Sequence, residues 1–256
     1  MKKFGIALGG GGARGFAHVG VLKVLIEAGL RPQVVAGTSA GGLVGAMYAA
    51  GLDWVWVEKL ARSLPWGRLF DLTVSPGGLI SGRRFLALFH TIFHDRHLED
   101  LPVPLALTAV DLASGDLVVM DSGPLVPALR ATISVPGVFT PVRQGDMVLV
   151  DGGVLDIVPA DVARRMGADI VLAVDLTARG PVSPGQLRSA RDVLFRAYDV
   201  MTDSISQKAL AQADIVIRPG FAHVGTFDFR YADRLITAGE ARTSEILPVL
   251  RDLLLP

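Results

Sequence analysis

Short apolar runs alternate with stretches of helical periodicity along most of this chain. Phe4 to Gly9 reads as a buried strand, and Phe16, Val19, Leu22, Val24, Leu25 and Ile26 fall on a mostly apolar helix closed by Gly29. Val34 to Gly37 predicts a second strand, and Ser39 to Ala50 a helix of small residues. The segment from Asp53 to Phe70 is aromatic and holds all three tryptophans, Trp54, Trp56 and Trp66; Pro76, Gly77 and Gly78 then mark a loop. Arg83 to Phe93 and Leu125 to Ile133 read as helices, and Leu105 to Asp111 pairs with Leu117 to Asp121 as a hairpin. Met147 to Val150 and Ile170 to Asp175 are short strands around a helix from Pro159 to Met166 that carries proline in its first turn. Gln186 to Ala213 predicts a long amphipathic helix, Ile215 to Ile217 a last strand, and Tyr231 to Leu255 two closing helices. Strands alternating with helices in this way imply an α/β layer fold with a largely parallel, buried sheet. No linker composition divides residues 1–256, so a single domain is expected, with Thr177 to Gly185 as a surface loop.

Composition narrows the function. The 256 residues are 50% hydrophobic, enough for a sizeable core. Basic and acidic residues number 25 each, so no nucleic-acid partner is expected, and the absence of cysteine removes disulfides, thiol nucleophiles and thiolate-bound zinc. Lys2 and Lys3 precede an apolar stretch too short for a signal peptide, and the uncharged span from Pro32 to Leu52 is broken by five glycines. A cytoplasmic protein is expected, with peripheral contact to lipid left open. Glycine is the excess: 13 of the 29 lie between Gly5 and Gly51. The sequence GFAHVG occurs twice, at Gly15 to Gly20 and Gly220 to Gly225, in unrelated flanks that point to chance.

The glycines frame a candidate site. Gly37-Thr38-Ser39-Ala40-Gly41 is a G-x-S-x-G placed between a β-branched strand and a helix, where a serine on a sharp turn is exposed as a nucleophile and faces a helix N-terminus. Its rival reading is an ordinary serine N-cap. Gly10-Gly11-Gly12-Ala13-Arg14-Gly15 also follows a strand and opens a helix, offering backbone N–H groups to an anion. As a dinucleotide fingerprint it lacks the acid at the end of the second strand, and as a P-loop it lacks Lys-Ser or Lys-Thr after Gly15. Arg14 locks this loop, meets an anionic substrate, or lies on the surface. Among five histidines only His223 comes late enough in the chain for a Ser-acid-His order. His90 and His94 sit on an apolar helical pattern without the glutamate of HExxH, so no metal or other cofactor is expected. Asp151, ending a buried strand before Gly152 and Gly153, is a candidate base whose burial would raise its pKa. Asp111 and Asp175 also end strands and rank only slightly below it, with loop hydrogen bonding as their alternative role.

In order and context these motifs resemble the patatin-like phospholipase family, over most of the chain from Phe4 to Asp175. The resemblance implies a three-layer α/β/α sandwich and a serine acyl hydrolase acting on a lipid or other acyl ester through a Ser-Asp dyad. It assigns Ser39 as nucleophile, Asp151 as base and then acid, and the N–H groups of Gly10, Gly11 and Gly12 as the oxyanion hole. Arg14, Gly15, Gly37, Gly41, Gly152 and Gly153 are the supporting motif positions. Ala131 to Pro136 resembles the family's A-S-x-x-x-P segment with Thr132 in place of the serine, and Asp156 stands where small bacterial members often carry asparagine. Trp54, Val57, Leu60 and Trp66 then have two readings, ordinary core packing or an acyl-chain pocket or lid. Two alternatives stay open: a Ser-His-acid esterase using His223, and a regulatory or lipid-binding protein of the same fold with little turnover.

Overall fold

A computed structural model describes residues 2–75, 77–177, 180–220 and 224–255. In chain order the elements begin with β1 (Phe4–Leu8), α1 (Phe16–Glu27), β2 (Val34–Gly37), α2 (Ala40–Ala49), α3 (Trp54–Ser63), β3 (Leu72–Ser75), β4 (Gly78–Ile80) and α4 (Arg83–Phe93). They continue with β5 (Leu105–Asp111), β6 (Leu117–Met120), α5 (Leu125–Thr132), β7 (Gly137–Phe139), β8 (Val142–Gln144), β9 (Met147–Asp151) and α6 (Ala160–Arg165). The last are β10 (Ile170–Val174), α7 (Ala190–Leu210), β11 (Ile215–Ile217) and α8 (Ala232–Leu254).

The main sheet follows the hydrogen-bonded path β11-β10-β1-β2-β5-β9-β8, with β6 also paired to β5. The five strands from β11 to β5 are parallel; β6 and β9 run antiparallel to β5. Alternation along the parallel strands sends their residues to two cores, Val34 and Val171 joining the alanines of the second. Ile6, Leu8, Val35, Leu105, Leu107, Leu172 and Val174 face one core, with residues of α1, α2 and α8, whereas Ala7, Ala36, Ala106 and Ala173 face a second core with α6. Helices on both faces make the three-layer α/β/α sandwich expected from the sequence.

The register of β5 positions the site. Strand β6 lies opposite Leu107 to Val110 along one edge, so β2, opposite Leu105 to Leu107, and β9, opposite Ala109 to Asp111, must share the other edge. Their opposite directions bring the two C-terminal ends together: Gly37 pairs with Leu107 and Asp151 with Ala109. Thr108 fills the gap, its hydroxyl 2.7 Å from that of Thr38.

Three expectations change. Leu72–Ser75, Gly78–Ile80 and Gly137–Phe139 form a separate three-stranded sheet, β3-β4-β7, so Gly78 belongs to a strand and not to a loop, while Pro76 lies outside the described residues. The closing segment is one helix, α8, with Pro248 inside it; Pro248 is on the exposed side, where water can satisfy the carbonyl that loses its donor. Pro159 is the cap before α6, one place ahead of the first turn. Only part of the second GFAHVG lies among the described residues.

Candidate active site

Ser39 caps α2 at φ 56° and ψ −124°, and is one of only two described non-glycine residues with positive φ. A serine held in that region is strained, which demands that its neighbours fix it. They do so through the backbone: the Ser39 N–H donates to Thr132 Oγ1 at 2.8 Å, and Thr38 Oγ1 donates to Asp156 O at 2.9 Å. The threonine of the Ala131 to Pro136 segment thus has a task, acceptor for the Ser39 amide.

Close approach explains the flanking glycines. A Cβ on Gly41 would stand 2.0 Å from Leu8 O, one on Gly37 2.6 Å from Gly42 Cα, one on Gly15 2.5 Å from Ala40 Cβ, and one on Gly152 2.1 Å from Thr108 Oγ1. None leaves room for a methyl group, so the turns around Ser39 and Asp151 can be packed only with glycine.

Asp151 ends β9 and is 1% exposed. Its Oδ1 accepts from Gly153 N at 2.8 Å, its own N–H donates to Ser134 O at 3.0 Å, and its Oδ2 meets no donor at full hydrogen-bond geometry. Burial pushes the carboxyl up to about 7, opposed by hydrogen bonding from the Ser39 side chain and from Gly153. The two strand ends therefore place Ser39 beside a carboxyl that holds its proton until near neutrality. Asp111 and Asp175 do different work: the first accepts from Ala113 N and Val148 N, the second from Thr177 and from Arg218 at 2.9 Å, and both hold loops.

The glycine loop needs one correction. Gly10 lies against Ser39, but its N–H donates to Ile157 O at 2.8 Å, and Ala13 N–H goes to Thr226 O at 2.7 Å. Among the described residues no protein acceptor takes the N–H of Gly11 or Gly12, so the free donors of the loop are those two. Gly12 adopts φ +56°, which only glycine takes without strain. Arg14 is no surface residue. At 4% exposure its guanidinium reaches Asp199 and Thr226 Oγ1, each at 3.0 Å, and Nε donates to Gly11 O at 3.3 Å, which locks the loop. Beneath it His18 is buried and pushed down to about 4, so the neutral ring donates from Nε2 to Gly9 O at 2.7 Å.

Ser39, Asp151, Gly11, Gly12 and Arg14 line one end of a cleft with about 1180 Å³ of empty space, mouth included. Much of the remaining lining is apolar, with Val19, Leu43, Val57, Leu60, Phe70, Phe85, Phe139, Phe227 and Phe229. The tryptophan segment divides. Trp54 packs on Tyr48 and donates to Val19 O, Trp56 is exposed, and Trp66 lines the cleft, stacked on Phe229 at 6.3 Å. The far wall, Phe195, Tyr198, Asp199, Thr202 and Thr226, went unread in the sequence. Its one signal was the amphipathic pattern of α7. His223 lies outside the described residues. His90, His94 and His97 are exposed, and no group of three metal-ligating side chains occurs among the described residues. Among those residues, too, no helix is long and apolar enough to cross a membrane.

The fold is a three-layer α/β/α sandwich that holds a strained serine on a tight turn between a strand and a helix. A family model described as patatin-like phospholipase matches residues 6–164, and the chain belongs to that family. It is 31% identical to an uncharacterized NTE family protein of Mycobacterium tuberculosis over 98% of its own length and 48% of the relative's. It is 40% identical to a patatin-like phospholipase domain-containing protein of Caenorhabditis elegans, over 67% of this chain and 13% of that one. The chain thus spans less than half the length of these curated relatives. Among solved structures it is similar in fold to VipD from Legionella pneumophila, with TM-score 0.67 at 16% identity over 97% of this chain and 67% of that one. The type III effector ExoU gives TM-score 0.51 at 15% identity, over 99% and 54% of the two chains.

Proposed function

We propose that this chain is a lipid acyl hydrolase in which Ser39 and Asp151 act as a dyad. The observation that carries the reading is the meeting of β2 and β9 on one edge of β5, which sets a strained serine beside a buried, half-satisfied carboxyl at the polar end of an apolar cleft. Ser39 Oγ bonds to the ester carbonyl carbon while its proton passes to Asp151 Oδ2. The carbonyl electron pair moves onto oxygen, facing the free N–H groups of Gly11 and Gly12. Collapse breaks the bond to the alcohol, which leaves with the proton from Asp151, and water then releases the acid from Ser39 by the same steps. Family membership supports an ester of lipid type, as does the aromatic lining of the cleft.

Ser39→Ala and Asp151→Asn should each lower kcat/KM on an octanoyl ester by about 1000-fold or more. His223→Ala should retain most activity. A fluorophosphonate probe should label wild type and spare Ser39→Ala; a folded wild type that neither labels nor turns over any ester of a chain-length series would end the hydrolase reading in favour of a binding role. A base pushed up to about 7 is protonated and idle below that pH, so kcat/KM should climb about tenfold per pH unit in the acid range and level off above 7. A flat profile between pH 5 and 8 would remove Asp151 as the base.

A further inference from the structure

Tyr198 projects from α7 into the polar end of the cleft. A Cβ built on Gly153 would stand 2.5 Å from the Tyr198 hydroxyl and 3.0 Å from Asp151 Oδ1, so the phenol and the carboxylate converge over the same turn. That contact also explains why the third position of the Asp-Gly-Gly motif carries no side chain here. Among the described residues the hydroxyl has no hydrogen-bond partner, although α7 carries it to the same turn as the carboxyl. At the next residue, Asp199 takes the guanidinium of Arg14 at 3.0 Å, and Arg14 in turn holds Gly11 O. Burial and the charges of Asp151 and Asp199 push the phenol well above its ordinary range, so it is a donor throughout the physiological pH range.

We propose that Tyr198 is a further catalytic residue of the dyad reaction, donating a hydrogen bond from its hydroxyl to the leaving-group oxygen of the substrate ester. The proposal rests on the Ser39–Asp151 reading. The alcohol oxygen must approach Asp151 to collect its proton, and the Tyr198 hydroxyl converges on that carboxyl over Gly153. When the tetrahedral intermediate collapses, the carbon–oxygen electron pair passes to the alcohol oxygen, the proton comes from Asp151, and Tyr198 lends its hydrogen bond without losing its own proton. Residue 198 lies beyond residues 6–164, so this donor is a feature of the segment outside the family match.

Leaving-group chemistry tests the role, because p-nitrophenolate departs without assistance whereas a glycerol alkoxide does not. With the acyl group fixed, p-nitrophenyl octanoate and monooctanoylglycerol would be compared for wild type and Tyr198→Phe. The expected result is a roughly 30-fold loss of kcat/KM on the glycerol ester against about threefold or less on the aryl ester. A melting temperature close to wild type is expected as well, since the hydroxyl has no hydrogen-bond partner among the described residues. Equal losses on both esters, or none on either, would overturn the assignment while leaving the dyad standing. Failure of wild type on both esters would overturn the dyad and Tyr198 together.

Discussion

Around Ser39 the cleft is shaped by backbone. Glycines admit Leu8 O, Thr108 and the first turn of α2 to within contact of the main chain, and strands β1, β2 and β5 lie fully buried beneath. Across the cleft, α7 and residues 224–231 are held mainly by side chains, the Arg14–Asp199 pair, the Arg14–Thr226 bond, the rings of Phe195 and Phe227 at 5.2 Å and the packing of Phe227 and Phe229 on Phe70, beside the backbone bond from Ala13 N–H to Thr226 O. The outer face of α7 is exposed at Val193, Leu194, Val200 and Met201. The position of Ser39 is therefore a property of the sheet, with the stability of the whole core behind it, while the far wall depends on side-chain contacts, those of Arg14 reaching across 185 residues of sequence or more.

Substitutions on the two sides should differ accordingly. The largest effect is expected for Gly41→Ala. Its methyl group would sit 2.0 Å from Leu8 O and 2.7 Å from Gly9 O, both backbone atoms of a central strand and loop, so nothing flexible can give way. A loss of at least about 3 kcal/mol is expected, read as a fall in the urea midpoint. Stability within about 0.5 kcal/mol of wild type would show that the turn at Ser39 is softer than the comparison holds.

Next comes the far wall. Asp199→Ala leaves the Arg14 guanidinium, 4% exposed, with a lost partner; Asp199 itself is 19% exposed, so the cost is put at about 2 kcal/mol, below the range for fully buried pairs. Activity should suffer more than stability, because Arg14 is what ties Gly11 O to the wall. Equal loss from Asp199→Asn and Asp199→Ala is expected if charge carries the contact, and recovery by Asn would assign it to hydrogen bonding alone.

The same division decides what the amino-acid sequence reveals. Gly10 to Gly15 and Gly37 to Gly41 are legible because a backbone requirement is local: only glycine fits, and the residues stand together in the chain. Asp151 was legible for a similar reason, as a strand end followed by glycines. Which glycine amide is free was not, since the partner of Gly10 is Ile157 O on a distant segment. Nor was Tyr198, which in an amphipathic helix looks like any packing aromatic, or Asp199, whose partner lies 185 positions away. The β3-β4-β7 sheet escaped because β4 and β7 are three residues each and are paired across about sixty intervening positions, too short and too separated for periodicity to register.

One group on the rigid side is unrelieved. Asp156 is buried, neither of its carboxylate oxygens meets a donor at full hydrogen-bond geometry, and it faces Asp161, which is itself paired with Arg165. Burial and Asp161 push its carboxyl up, so the folded protein holds this proton to a higher pH than the unfolded chain does. Unfolding then releases a proton as pH rises above the ordinary carboxylate range, and stability must fall with increasing pH on this account. Asp156→Asn removes that loss. It should be more stable than wild type by about 1–2 kcal/mol at pH 8, with a smaller difference at pH 5, as measured by urea denaturation. A difference that grows towards low pH would reverse the sign and show that the carboxylate has a stabilising partner.

The smallest effect separates the two faces of α7. Val193 and Leu194 are 54% and 57% exposed, whereas Phe195 turns inward onto Phe227. Replacing Val193 and Leu194 together by serine removes little buried area, so stability should stay within about 0.5 kcal/mol of wild type. Phe195→Ala should cost about 1–3 kcal/mol, at the lower end for a half-buried ring. If the far wall is held only through its inner face, the double serine variant also keeps the kcat/KM of wild type. A marked loss of stability in that variant, with the purified protein monomeric, would mean that the outer face packs against something within the chain, and the contrast between a backbone-built side and a wall hung on a few side chains would have to be redrawn.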